Sequence, residues 1–156
     1  MKNILIRLAT LDDVATIAKM YEEFFAFHAG LQPDYFKEAE EHGDYPKSTI
    51  ESETADLIIA EIDGNIAGFT HVTENKSLPY DCIVQYKFAV CMDLYVSPAY
   101  RKMGVGTELM NAIKEWAKKR KLDFVEIKVL VGNDNAIRLY EREGYSEIYH
   151  TMRCKL

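Results

Sequence analysis

Between Asp93 and Thr107 the chain must run from a strand through a sharp turn into a helix. The segment reads Asp93-Leu94-Tyr95-Val96-Ser97-Pro98-Ala99-Tyr100-Arg101-Lys102-Met103-Gly104-Val105-Gly106-Thr107. Its two glycines sit where the helix begins. A helix start leaves several backbone N–H groups without acceptors, and the positive end of the helix dipole lies behind them. Such a point attracts phosphate. The spacing lacks the Lys-Ser/Thr of a P-loop, and Leu109 stands where a dinucleotide fingerprint needs its third glycine. Taken alone, a Gly-x-Gly pair is often no more than a tight turn.

The elements around this turn define an α/β class. Ile4, Ile6 and Leu8 alternate as a first strand. Thr10, Asp12 and Asp13 then open a helix expected over about 11–27. Gly30, Pro33, Gly43 and Pro46 interrupt the next stretch, where short helices are expected near 34–42 and 47–54. Leu57–Ile62 and Ile66–Val72 flank Asp63-Gly64 as a hairpin. Residues 74–82 form a loop, and a long strand runs over roughly 84–96. Val105 to Lys121 is an amphipathic helix with Lys114, Lys118, Lys119 and Lys121 on its solvated face. A strand at 124–129, a helix over about 135–142 capped by Asn133-Asp134-Asn135, and a last strand from Tyr145 to Cys154 complete the order. The result is a mixed α/β domain whose sheet is antiparallel at least at the hairpin.

The 156 residues suffice for one domain with a sizeable core. Nineteen basic against 25 acidic side chains give a formal charge of −6, which argues against a nucleic-acid partner and suits a cationic one. Cys82, Cys91 and Cys154 have no metal-ligand spacing and an odd count, so reduced thiols in a cytoplasmic protein are expected and no metal is. Met1 to Arg7 is too short and too soon charged for a secretory leader, and no apolar run reaches membrane-spanning length, so no membrane partner is expected.

Two motifs in order give the turn a chemical meaning. Arg101-Lys102-Met103-Gly104-Val105-Gly106 fits Arg/Gln-x-x-Gly-x-Gly/Ala after a Val-x-Pro strand end. Downstream, Asn133 to Tyr145 fits Asn-x-x-Ala-x-x-x-Tyr-x-x-x-Gly-Phe/Tyr. Together with the N-terminal Ile-Arg-x-Ala-Thr-x-Asp-Asp and the Ile66-Ala67-Gly68 hairpin strand, they resemble the GNAT superfamily of N-acetyltransferases over nearly the whole chain. The resemblance implies one acetyltransferase domain over 1–156, with a mixed, mostly antiparallel sheet flanked by helices and splayed at a slot for CoA. It implies acetyl-CoA as co-substrate, its pyrophosphate held by the amides of Arg101, Lys102, Met103, Gly104, Val105, Gly106 and Thr107. It also implies pantetheine pairing along Leu94, Tyr95 and Val96, and an anchoring role for Asn133.

Acetyl transfer to an amine needs a neutral nucleophile, a donor for the oxyanion and a proton for the leaving thiolate. By the same resemblance Tyr140 is the acid. From helix periodicity alone it reads as a core aromatic, and the flanking motif turns the reading to the acid. The base is less well marked. Polyamine acetyltransferases carry a Glu where this chain has Met92, and Asp93 is the nearest carboxylate, expected to alternate in facing with Met92 and Leu94. Asp93 is a candidate base or an anchor for a charged substrate. His71 is the alternative base, because imidazole exchanges protons near neutral pH, and a water chain is a third route. Helix one, the loop after it and the 74–84 loop would build the acceptor pocket, giving Phe25, His28, His71 and Tyr80 as substrate contacts. Aromatic and acidic walls suit a small cationic amine. Two rivals stay open: a protein or peptide acceptor, and a CoA-binding regulatory domain without turnover. A homodimer is common in the family, and no residue pattern demonstrates one.

Overall fold

The computed structural model describes residues 3–156, so Met1 and Lys2 of the leader reading lie outside the described residues. The strands are β1 (Ile4–Leu8), β2 (Ala55–Ile62), β3 (Asn65–Lys76), β4 (Lys87–Val96) and β5 (Val125–Ile127). The helices are α1 (Val14–Leu31), α2 (Asp44–Ile50), α3 (Val105–Lys119) and α4 (Asp134–Arg142). One five-stranded sheet runs in the order β1-β2-β3-β4-β5. Its first three junctions are antiparallel, and the β4–β5 junction is parallel. No helix among the described residues is long and apolar enough to cross a membrane.

The sheet is covered on both faces. Ile58, Ala60, Ile62, Ala67, Val72, Ala89 and Cys91 pack against Val105, Leu109, Met110 and Ile113 of α3 and Tyr140 of α4. Leu57, Ile59, Phe69 and Tyr95 point the other way, against Ile17, Met20 and Tyr21 of α1. Burial on both faces explains the unbroken apolar run in β2: residues of either parity have a helix to meet. Fully burying side chains of this size stabilises by roughly 1.5–3 kcal/mol each before entropy is counted.

Four expectations are corrected. The first helix runs through Gly30 to Leu31, and its start at 11–13 is a 3₁₀ turn. No helix forms over 34–42. Asp34, Glu38 and Glu41 would stack like charges at helical spacing there. The second short helix occupies 44–50 rather than 47–54, because Pro46 sits inside its first turn, where a missing N–H costs nothing. No strand forms over 145–154. The ladder it would join is only three residues long, and the tail instead places Arg153 over the Tyr35 ring and pairs Lys155 with Asp34 at 2.7 Å.

The β1–α1 corner is tied by one carboxylate. Asp13 accepts from the Arg7 guanidinium at 2.7 and 3.0 Å and from the Thr10 backbone N–H at 2.7 Å. Arg7 also reaches Glu61 on β2 at 2.7 Å. The bonds from Arg7 hold the Asp13 carboxyl below its ordinary value of 3.8. A lowered folded pKa gives stability that is full above the unfolded value and lost as pH falls through the folded one. Asp13→Asn should therefore cost about 2 kcal/mol at pH 7, the scale of charge-assisted hydrogen bonds with a partly exposed partner. It should also flatten the loss of stability on acidification; urea melts at pH 7 and pH 3 test both, and an unchanged acid slope would remove Asp13 from this role.

Candidate active site at the split between two strands

β4 has neighbours on both edges only as far as Cys91. β5 pairs with it at Ala89↔Val125, Val90↔Glu126 and Cys91↔Ile127, and then leaves. From Met92 to Val96 one edge of β4 therefore has no strand beside it, and a wedge opens there. Leu94, Tyr95 and Val96 all lie on this freed stretch. On its other edge β4 stays paired to β3.

The register slips at the same point. His71 pairs with Asp93 and Val72 with Cys91, so Met92 is an extra residue, a β-bulge. Simple alternation would put Cys91 and Asp93 on one face. The bulge shifts the phase by one, leaving Cys91 on the α3 side while Asp93 reaches Tyr21 on α1. Asp93 and Leu94 alternate as expected, and the bulge breaks the alternation between Cys91 and Asp93. The bulge is pinned from β3, where Thr70 Oγ1 donates to the Asp93 carbonyl at 2.8 Å. Met92 is half exposed.

The turn after β4 leads straight into α3. Lys102 takes φ 61° and Gly104 φ 89°, the left-handed conformation that Gly adopts without strain. The first bond of α3 runs from Glu108 N–H to the Gly104 carbonyl at 3.0 Å. The N–H groups of Val105, Gly106 and Thr107 therefore have no helical acceptor, and no side chain caps them. Arg101 folds back and donates through Nε to the Val96 carbonyl at 3.0 Å, fixing the turn to the strand end; Arg101, Lys102 and Met103 are exposed. Gly106 has a further job. A Cβ there would lie 2.9 Å from Leu139 Cδ2, so its bareness lets α4 pack close to the start of α3.

α4 carries Tyr140 and is held at two points. Leu139 sits over Gly106, and Lys114 Nζ donates to the Glu143 carbonyl at 2.7 Å at the C-terminal end, where a cation complements the helix dipole. One lysine of the expected solvated face is thus a structural clamp. Tyr140 is buried beside Cys91, and its hydroxyl makes no hydrogen bond to the described residues. Burial pushes its pKa up, so the phenol holds its proton throughout the neutral range. Asn133 begins α4 through its backbone, accepting from Ile137 N–H at 3.0 Å, but its side chain does not cap the helix. That amide is left for another partner.

On the α1 side four polar groups meet. Asp93 Oδ2 accepts from the Tyr21 hydroxyl at 2.9 Å and from the Tyr45 hydroxyl at 3.1 Å. The Tyr45 oxygen is 2.8 Å from His71 Nδ1, which is 3.4 Å from Asp93 Oδ2. Burial and the adjacent Asp93 push both tyrosines upward, so both remain donors. Next along β4, the Tyr95 hydroxyl donates to Glu23 of α1 and is pushed up to about 12 by burial first and this carboxylate second.

Phe25 and His28 line the aromatic wall beside this cluster. Phe25 lies 5.6 Å from the Tyr21 ring, and His28 stacks 4.1 Å from Phe24 while its Nδ1 meets the Phe24 carbonyl at 2.9 Å. Tyr80 is not brought to them. It lies on the loop between β3 and β4, lining a small cavity with Pro79, Asp81, Ile83 and Gln85. Sequence reasoning missed Tyr45. The available signal was Gly43-Asp44-Tyr45-Pro46: a glycine at φ 94° followed by a first-turn proline starts a helix as readily as it breaks one.

Wedge, helix start and clamped tyrosine on one sheet define a class. The profile of the Acetyltransferase (GNAT) family matches residues 17–145, and the chain belongs to this family of acetyltransferase enzymes. Its enzymes use acetyl-CoA. An uncharacterised N-acetyltransferase of Methanocaldococcus jannaschii is 30% identical over 151 residues, 94% of this chain; the chain spans 62% of that relative's length. An uncharacterised N-acetyltransferase of Bacillus subtilis is 28% identical over 91% of this chain and 89% of its own. In fold, the chain is similar to the BH1408 protein of Bacillus halodurans, crystallised as a tetramutant, with a TM-score of 0.91 at 22% identity over 97% of this chain and 99% of that one. It is also similar to an aminoglycoside N-acetyltransferase in complex with CoA, with a TM-score of 0.75 at 16% identity over 99% and 97%.

Thr70→Val should loosen the bulge. Losing the bond to the Asp93 carbonyl should cost about 1 kcal/mol in a urea melt. Unchanged stability would mean the bulge is held by strand pairing alone.

Proposed function

We propose that the protein transfers an acetyl group from acetyl-CoA to the primary amine of a small cationic acceptor, by direct attack in a ternary complex. The observation that carries this is the placement of two proton-handling groups on opposite faces of the sheet around the β4 bulge, where β5 departs: Tyr140 on the α3 side, and Asp93 with His71 on the α1 side. A donor for the leaving group and an acceptor for the amine proton then flank the wedge without interfering.

The chain's groups suit the cofactor. The uncapped N–H groups of Val105, Gly106 and Thr107, with the turn from Arg101 to Gly104, offer a phosphate cradle. The edge of β4 along Leu94, Tyr95 and Val96, where the Val96 carbonyl is already taken by Arg101, offers backbone partners for an amide-bearing arm, and the free amide of Asn133 a further donor. When bound, acetyl-CoA supplies an activated thioester. The acceptor nitrogen forms the new C–N bond as the C–S bond breaks. The nitrogen's proton passes to the Asp93–His71 pair, and the sulfur takes one from Tyr140, which recovers it from water. No covalent enzyme step is needed. Cys91 is buried and its thiol is pushed up to about 12 by that burial, so it stays protonated and unreactive.

The acceptor class rests on the wall around Asp93. The rings of Tyr21, Phe24, Phe25 and Tyr45 lie against one another, with Asp93 and Glu23 among them. Ring faces and carboxylates together favour an ammonium group.

CoA release measured over a panel of polyamines, aminoglycosides, amino acids and peptide N-termini tests the reading. Turnover confined to peptides would replace the acceptor class, and CoA binding without release on any amine would replace catalysis by a regulatory role. Tyr140→Phe should lower kcat about 100-fold while leaving acetyl-CoA affinity within threefold; equal loss of both would make Tyr140 a packing residue. Gly104→Glu should weaken acetyl-CoA binding at least 100-fold by calorimetry, because it sets a carboxylate beside the phosphate cradle. The variant should stay folded in a thermal melt with about 1–2 kcal/mol of left-handed strain. Wild-type affinity would mean the cradle lies elsewhere.

A further inference from the structure

We infer that His71 is the general base of this reaction and that Asp93 and Tyr45 are positioning residues that fix its tautomer. This rests on the acetyl-transfer reading above and assigns the amine proton to one atom, Nε2 of His71.

The argument is a count of protons among four oxygens and nitrogens. Tyr21 donates its only hydroxyl proton to Asp93 Oδ2 at 2.9 Å. Tyr45 also has one proton, and two acceptors compete for it: Asp93 Oδ2 at 3.1 Å and His71 Nδ1 at 2.8 Å. Suppose the proton went to Nδ1. The Tyr45 oxygen would then face the carboxylate at 3.1 Å with no proton between them. The Nδ1 lone pair would already face the same oxygen at 3.4 Å, so two electron-rich atoms would crowd one anion in a largely buried site. The other arrangement removes both repulsions. Tyr45 donates to Asp93, and His71 donates Nδ1–H to the Tyr45 oxygen, with the carboxylate beside it. A charged acceptor also outbids a neutral one for the phenol proton.

That arrangement leaves Nε2 with its lone pair. His71 is 5% exposed, its Nδ1 side is filled by Tyr45 and Asp93, and Nε2 has no hydrogen-bond partner among the described residues. Asp93, by contrast, has two phenols donating to one oxygen. A carboxylate that orients an imidazole and steadies its protonated form is a recurring division of labour. The proton balance is simple. The acceptor N–H bond breaks as its nitrogen bonds carbon, the proton joins Nε2, and the imidazolium returns it to water after product leaves. The groups facing His71 are Tyr45 from α2 with Glu41 behind it, and Asp93 from β4, on which Tyr21 of α1 also bonds; its register partner on β2 is Leu57.

Tyr45 is the informative position, because α2 brings it from outside the sheet. Gly43 makes that approach possible: a Cβ there would lie 2.9 Å from Val14 Cγ1 of α1.

The test combines a spectrum with kinetics on the full chain. In ¹⁵N-histidine NMR of the wild type in mild base, the neutral His71 should be the Nδ1–H tautomer, and Tyr45→Phe should convert it to a mixture. His71→Gln should lower kcat about 100-fold on whichever amine the panel finds. It should erase the ascending limb of the kcat/KM profile with pH and leave the KM for acetyl-CoA within twofold. Tyr45→Phe should lower kcat about tenfold and shift that limb rather than erase it. An Nε2–H tautomer in the wild type overturns the inference whatever the activity. So does an active wild type whose limb survives His71→Gln and vanishes in Asp93→Asn. A wild type that acetylates no amine overturns the proposed function itself, whereas an active wild type matched by His71→Gln overturns only the base.

Discussion

β4 loses a neighbour partway along its length, and the remainder of the site follows from that loss. As far as Cys91 its backbone is paired on both edges. Beyond Cys91 one edge must find its partners elsewhere, because unpaired backbone groups are costly to bury. The freed edge runs directly into the uncapped start of α3, so backbone donors and acceptors line a continuous path from the middle of the sheet to the helix terminus. A long polar cofactor with a phosphate at one end fits such a path. A sheet paired throughout would offer only the terminus.

The bulge at Met92 converts this path into a place for chemistry. It turns Asp93 to the opposite face from Cys91, so the phenol of Tyr140 and the Asp93–His71 pair are kept apart by the strand itself. Packing maintains the separation: α4 is held by the Leu139–Gly106 contact and the Lys114 clamp, and α1 and α2 hold the phenols on Asp93.

The legible parts of this chain were those governed by local rules. Alternation gave β1, the Asp-Gly turn gave the β2–β3 hairpin, and apolar spacing gave α3. The glycine pair marked the turn into α3 because a left-handed residue at a helix start leaves a mark in the sequence. The errors fell where tertiary contacts outweighed such rules. Gly30 stayed helical, and residues 145–154 remained outside the sheet because β5 offers only three positions to pair with. Met92 reads as an ordinary strand residue; a bulge exists only relative to the partner strand, here β3.

By itself the sequence determined the order of elements from β2 to α4, the strand–turn–helix with a glycine at the helix start, and the spacing of Asn133, Tyr140 and Gly144 through and around the last helix. All of these depend on residues close together in the chain. Tertiary structure alone decided that Tyr21, Tyr45, His71 and Asp93 share one hydrogen-bonded cluster, since they come from two helices and two strands. It also decided which of their polar atoms lie within hydrogen-bond reach of one another. A tautomer is set by the charges and lone pairs within a few ångströms, and those neighbours are up to 72 positions apart in sequence.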